Sequence, residues 1–429
     1  MKRNIKESLV LLFGIVSVVF LLVCRDCFHI SVSKWIFVLL TSIVLGLLKT
    51  ENAISYMFFL FPLYVGLPGN YLTVLFLLKL LLSHKNIFVR KSGFVITALI
   101  IFVLLFQSIV WGNFGTIENA MLVIGIIFVF LLFSYRGEWE PSKSLISYSF
   151  GVAALGLIML FATLRVYDFS VLMSPATRLG MGSVDFSSEG AMRIAVDPNY
   201  MGLFAISSIS SSVPLLHRED IAKPMKLSLL LSVLAAGAVA LIAMSRAFIL
   251  MFLIWLLLYL FSQKKIRGIF ILLLIGCFLC VVFTDWTISL WNSIIDRFCE
   301  NNLADGNGRI ALIVKFGNLW FQNIGTFLFG VGLFSCNVHC MPLQYLFGGG
   351  MVLFSLIVGY AWQLILSRNS ISEMNDVKRW IPLLATGGMS LTVPIATSLT
   401  FMFPLAVSIL AFEIYKKNKK GDASCPLNE

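Results

Sequence analysis

Apolar runs broken by short polar stretches occupy almost the whole chain. The runs at 9–24, 35–48, 53–66, 71–82, 92–111, 117–134, 144–164, 197–216, 227–244, 246–262, 268–284, 343–366, 381–397 and 399–415 each predict a helix. A membrane barrel needs strands that alternate apolar and polar side chains, and runs such as 96–110 do not alternate. At about 20 residues per crossing, the pattern predicts an all-α, polytopic membrane protein with about 12–14 transmembrane helices. The range is open because 53–82, bent at Leu67-Pro68-Gly69-Asn70, reads either as two crossings or as one interrupted element.

Composition narrows this further. Of the 429 residues 59% are hydrophobic and 12% charged, against about 25% charged in soluble domains. A soluble enzyme is excluded, and no length remains for a large extramembrane domain beside the single membrane domain 1–429. The net charge of +11 would suggest nucleic acid in a soluble protein. With a cytoplasmic N-terminus, however, most of the basic residues fall in inward loops and in the basic tail 416–429, so the charge follows from orientation and no nucleic-acid partner is expected. Met1-Lys2-Arg3 before an apolar stretch mimics a signal peptide, but no small-residue cleavage site precedes Cys24, so it reads as a retained first helix. The eight cysteines are scattered and predict no disulfide framework.

The same orientation puts the two longest connections, about 165–196 and 285–342, on the outer face, where function is expected. Their apolar and aromatic content argues against disorder. The second is partly helical: across 309–324, Lys315, Asn318 and Gln322 recur at helical spacing opposite Ile310, Ile313, Phe316 and Trp320.

Several residues in or beside these loops have chemical potential. In the run from Arg193 to Gly202, Asp197 is suited to cap a helix and Pro198 to occupy its first position, followed by Asn199. The free N–H groups of such a start, with Arg193 just before it, also suit an anion. Arg246, in the one polar break between 227–244 and 247–261, reads either as a cation snorkelling to headgroups or as a phosphate partner. Arg309 after Asp305-Gly306-Asn307-Gly308, and Arg178, read either as solvated loop residues or as members of an arginine set. Planar guanidinium forks bind pyrophosphate oxygens bidentately and stabilise charge developing on a leaving group. His339 reads either as a structural histidine or as a general base with an ordinary pKa near neutrality. With Cys336 and Cys340 it lacks a fourth ligand, so no metal is expected. Gly348-Gly349-Gly350 opens the next span and allows close approach or a kink.

Taken in order, Arg-x-x-x-Asp-Pro-Asn-x-x-Gly at 193–202, Ser245-Arg246-Ala247, Gly308-Arg309-Ile310 and Phe329-Gly330-Val331-Gly332 leading to His339 resemble the O-antigen polymerase and ligase superfamily. The resemblance covers about residues 165–355. It implies a glycosyltransferase of the bacterial inner membrane, with both termini cytoplasmic and the active site facing the periplasm. The donor would be an undecaprenyl-pyrophosphate-linked oligosaccharide, with no cofactor or metal and inversion at the anomeric carbon. Carried over to this sequence, Arg193, Arg246, Arg309 and Arg178 would bind the pyrophosphate and His339 would activate the acceptor hydroxyl. Asp197, Pro198, Asn199 and Gly350 would shape the site, and a chain-length regulator in the membrane is a further candidate partner.

Two departures bear on the branch. Cys340 follows the histidine where ligases commonly carry Asn, Ser or Gln, and Leu353 stands where Gly, Thr or Tyr is expected. The polymerase branch is therefore favoured over transfer to lipid A core by a ligase. A lipid-linked oligosaccharide flippase is the alternative from another class; it is disfavoured because transporters place ionisable groups at mid-membrane, and here polar groups gather in outer loops.

Overall fold

In the computed structural model, which describes residues 2–112, 117–165, 168, 196–243, 245–262, 288, 292, 309–369, 376–393 and 398–421, the apolar runs fold as helices. In chain order these are α1 (Lys2–Cys27), α2 (Lys34–Leu47), α3 (Thr50–Leu60), α4 (Gly69–Leu82), α5 (Lys91–Val110), α6 (Ile117–Ser134) and α7 (Pro141–Leu164). There follow α8 (Pro198–Leu216), α9 (Lys223–Ile242), α10 (Arg246–Ser262), α11 (Arg309–Trp320), α12 (Ile324–Phe329), α13 (Gly349–Arg368), α14 (Ile381–Ser390) and α15 (Ser398–Gly421). Among the described residues the only strand-like pairing is an isolated bridge between Ile87 and Tyr135. Among the described residues, five helical segments are long and apolar enough to cross a membrane, and five more are apolar but shorter. The expected span 268–284 lies outside the described residues.

The 53–82 stretch resolves into two helices. A 3-10 turn at Pro62–Val65 and the Leu67-Pro68 bend separate α3 from α4. The Arg25 side chain, paired with Asp26 at 2.7 Å, donates to the Gly66 carbonyl at 2.6 Å and so ties the end of α1 to this break.

What each helix buries does not follow from its own hydrophobicity. On α1, Leu9, Phe13, Val16 and Phe20 are exposed while Val18 and Leu22 are buried, the distribution of a helix with one face toward lipid. α3, α7 and α8 are buried almost all round and form the centre, with α9, α14 and α15 packed on α8. Lipid tails are as apolar as leucine, so association here relies on close packing and interhelical hydrogen bonds. Tyr148 and Ser207 share a hydrogen bond of 2.8 Å, Ser208 donates to Ser149 at 2.9 Å, and Thr386 and Ser408 lie 2.6 Å apart.

Close packing is tightest where α7 crosses α3. A Cβ at Gly151 would stand 2.1 Å from the Phe59 carbonyl oxygen. Gly151→Val is therefore expected to force the helices apart and to cost about 1–3 kcal/mol, read as a lower thermal midpoint in detergent. An unchanged midpoint would mean that α3 and α7 are not in contact there.

Candidate active site

The start of α8 is built by local chemistry. Asp197 caps it, its Oδ1 accepting from the Asn199 backbone N–H at 2.8 Å, and Pro198 fills the first position, where a missing N–H costs nothing. The Asn199 side chain reaches across to the next helix pair: Ser245 Oγ donates to Asn199 Oδ1 at 2.8 Å and accepts from the Phe248 N–H at 3.3 Å. Ser245 thus caps α10 and fastens it to α8, which places half-buried Arg246 one residue from the Asn199 side chain. Gly202 allows this approach, since a Cβ there would lie 2.8 Å from that of Phe248.

A second assembly carries His339. α11 lays Ile313, Phe316 and Trp320 against a small apolar core of Cys336, Val338, Cys340 and Phe347, with Lys315, Asn318 and Gln322 exposed. Ile310, expected on the inner face, is instead 48% exposed; at the second residue of α11, it precedes the part that packs on this core. Trp320 Nε1 donates to the Phe327 carbonyl at 3.0 Å and holds α12 against α11. Beyond α12 the chain runs back beside its own continuation: Val331 N–H donates to the Phe347 carbonyl at 2.9 Å and Gly332 N–H to that of Gly348 at 3.0 Å. Gln344 Nε2 donates to the Leu333 carbonyl at 3.0 Å.

Two glycines make this return possible. Gly330 and Gly350 both have φ of +76°, and a Cβ would meet the Gly348 oxygen at 2.1 Å in the first case and the Leu328 oxygen at 2.3 Å in the second. Gly350 also interrupts the helical geometry at the start of α13, the kink expected from the glycine run. From α5, Gln107 Nε2 donates to the carbonyls of Phe329 and Gly349, both at 2.6 Å, stapling the two strands of the return together.

In the segment that follows, Cys336, Val338 and Cys340 turn into the small core, while Asn337 is exposed and His339 half-buried on the other side. His339 adopts φ of +49°, a left-handed conformation costing about 1–3 kcal/mol in a non-glycine residue, which persists only where the surroundings over-determine it. Partial burial lowers the His339 pKa below its ordinary value of 6.5, the Arg309 guanidinium lowers it further, and Asp197 opposes them. The imidazole is therefore neutral at pH 7 and able to accept a proton. Burial pushes the Cys336 thiol up to about 12 and raises Cys340 as well, so both thiols are protonated at pH 7.

The charges of Arg309 and Asp197 thus both act on His339, and a hydrogen bond joins Asn199 to Ser245 beside Arg246. Arg193 and Arg178 lie outside the described residues. Sequence reasoning missed Gln107, Gln344 and the bridging role of Ser245. Gln107 left one trace, as a lone amide in the last turn of the otherwise apolar helix α5. Compared with known proteins, the chain matches no family model, and no curated protein or solved structure matches it.

Proposed function

We propose that this chain is an undecaprenyl-pyrophosphate-dependent glycosyltransferase of the polymerase branch, crossing the bacterial inner membrane about 12–14 times with its site toward the periplasm. The observation that carries the reading is a half-buried histidine on which the charges of Arg309 and of Asp197, the cap of α8, both act, in an apolar helical bundle. His339 removes the proton from a sugar hydroxyl of a fresh lipid-linked repeat unit, and the oxygen attacks the anomeric carbon of the growing chain. The bond to undecaprenyl pyrophosphate breaks, and Arg309 and Arg246, with Arg193 and Arg178 as further candidates, take up the charge on the departing diphosphate.

The test is a lipopolysaccharide gel of a deletion strain complemented with wild type or His339→Ala, together with analysis of lipid-linked intermediates. A core bearing a single repeat unit, with the ladder restored only by wild type, is the expected result. A bare core with long lipid-linked polymer would mean a ligase instead. A ladder unaffected by the deletion would remove this reading for O-antigen, and lipid or sugar movement by purified protein in liposomes would favour a flippase.

Arg309 gives a sharper test because it acts twice. Arg309→Ala is expected to lower the transfer rate by about 10²–10³-fold, as for loss of one donor to a developing anion. It should also move the acid limb of the pH–rate profile upward toward 6.5, since a positive charge that depresses the His339 pKa is gone. A rate loss without that movement would separate Arg309 from the histidine.

A further inference from the structure

At the end of α5 away from Gln107, two arginines from separate segments meet the end of α13. The chain before α5 and the chain after α6 are held side by side at the Ile87–Tyr135 bridge, where Phe88 N–H donates to the Ser134 carbonyl at 2.8 Å and Arg136 N–H to that of Asn86 at 2.7 Å. From these two segments Arg90 Nη1 donates to the Leu366 carbonyl at 2.7 Å, and the Arg136 guanidinium donates to the carbonyl of Ser367. Beside them opens a shallow recess lined among others by Phe88, Phe130, Ser134 and Gln363. Its inner volume of about 20 Å³ holds a water and nothing larger, so an occupant lies across the mouth, against the guanidinium groups.

Capping of α13 explains only part of this. The last carbonyls of a helix lack intrahelical donors and together carry about half a negative charge, whereas here two full positive charges are brought to adjacent carbonyls. Both arginines are exposed, and no residue lining the recess is acidic. Lys85 and Lys91 beside Arg90 are exposed as well, against one acid nearby in the chain, Glu138. The Leu366 carbonyl takes one of the five N–H groups that the Arg90 guanidinium presents, which leaves others for a second acceptor.

The surroundings say which anion fits. α5 has 20 residues, about 30 Å at 1.5 Å per residue, which matches the hydrocarbon thickness of a bilayer. With Gln107 near one boundary, Arg90 stands at the other, the end that the basic residues place inward. Phe88 and Phe94, on either side of Arg90, are 63% and 59% exposed, as side chains facing lipid are. A soluble phosphate would answer the charge and leave these rings unmatched. A phospholipid brings both phosphate oxygens for the guanidinium forks and acyl chains for the rings.

We infer that Arg90 and Arg136 form a site for the headgroup of an anionic phospholipid, whose chains run along the outside of α5 past Phe88 and Phe94. Such a site is independent of the chemistry at His339. The test uses the full chain in phosphatidylcholine nanodiscs, with a photoreactive phosphatidylglycerol as the probe. Labelled peptides should come chiefly from 84–95 and 130–138, and labelling should fall roughly 10–30-fold in Arg90→Gln/Arg136→Gln, the effect of two basic residues at an anionic headgroup. Glutamine keeps a donor for each carbonyl and removes the charge, so the thermal midpoint in phosphatidylcholine alone should match wild type. Lys223→Gln/Lys226→Gln, which removes as much charge at the start of α9, should lower labelling less than about twofold.

If the first double variant fails to fold, the wild-type protein decides alone: unlabelled phosphatidylglycerol should compete for labelling at least about tenfold better than phosphatidylcholine. Label spread evenly over the basic loops, equal competition by the two lipids, or equal loss in both double variants would overturn the site. So would full protection of the same peptides by inorganic phosphate, which would assign the arginines to a soluble anion.

Discussion

Replacing His339 with alanine is expected to reduce glycan transfer by about 10²–10⁴-fold, the usual contribution of a positioned general base. Alanine, however, is also poorly suited to φ of +49°, so a loss of activity alone would not separate chemistry from conformation. Asparagine tolerates the left-handed region and has no basic nitrogen. His339→Asn should therefore be as inactive as His339→Ala while folding like wild type. Appreciable activity in His339→Asn would show that the histidine orients the loop and does not take the proton.

The lowered pKa adds a direction to this prediction. The wild-type rate should hold from pH 7 down past 6.5 and fall only at a lower pH, where the imidazole becomes protonated. Stability follows the same sign. A histidine whose folded pKa lies below its unfolded value destabilises the native state as it gains a proton, so the native state is most stable above 6.5 and loses stability as pH falls through the folded pKa. His339→Asn should flatten that dependence. A rate profile whose acid limb lies at or above 6.5 in wild type would contradict the lowered His339 pKa.

The second large effect is expected at Gly350. Gly350→Val combines a left-handed conformation that a β-branched residue resists with a Cβ 2.3 Å from the Leu328 oxygen. At about 1–3 kcal/mol for each, the sum is of order 4 kcal/mol. The affected unit is the return from Gly330 to Gly350, so the readouts are a lowered thermal midpoint, new protease cleavage within 330–340, and loss of transfer. Gln107→Leu removes the staple without adding bulk and should loosen the same segment to a smaller degree. If Gly350→Val keeps the wild-type midpoint and protease resistance, the kink at the start of α13 does not hold the histidine segment.

These effects mark how far the site was legible beforehand. Asp197 and Pro198 were readable because a helix start is local: a short side chain bonds to the backbone two residues on, and no distant partner is needed. The turn at Ser245-Arg246 was readable for the same reason, as a polar break between two apolar runs. That Ser245 would bridge to Asn199 was not, since the bond depends on how α8 and α10 are placed. The glycines at 330 and 350 stood out as residues, yet their function is set by carbonyls of distant segments that occupy the space of their missing side chains. Gln107 drew no notice because a single glutamine in an apolar helix has many harmless explanations.

The chain by itself determined that the protein is helical and roughly where most of its helices lie. Run length, capping residues and proline positions are local quantities and need no partner. Only the tertiary structure decided which helices form the centre. α10 is apolar nearly throughout, yet Phe248, Trp255 and Tyr259 are buried while Leu250, Leu253 and Leu257 are exposed. In water a polar face would have announced that choice. In a bilayer the outside is as apolar as the inside, so periodicity carries little signal, and close contact and buried hydrogen bonds select the inward face. The same packing lets the charges of Asp197 and Arg309, from two other segments, act on His339, and thereby makes a candidate site out of residues that are unremarkable one at a time.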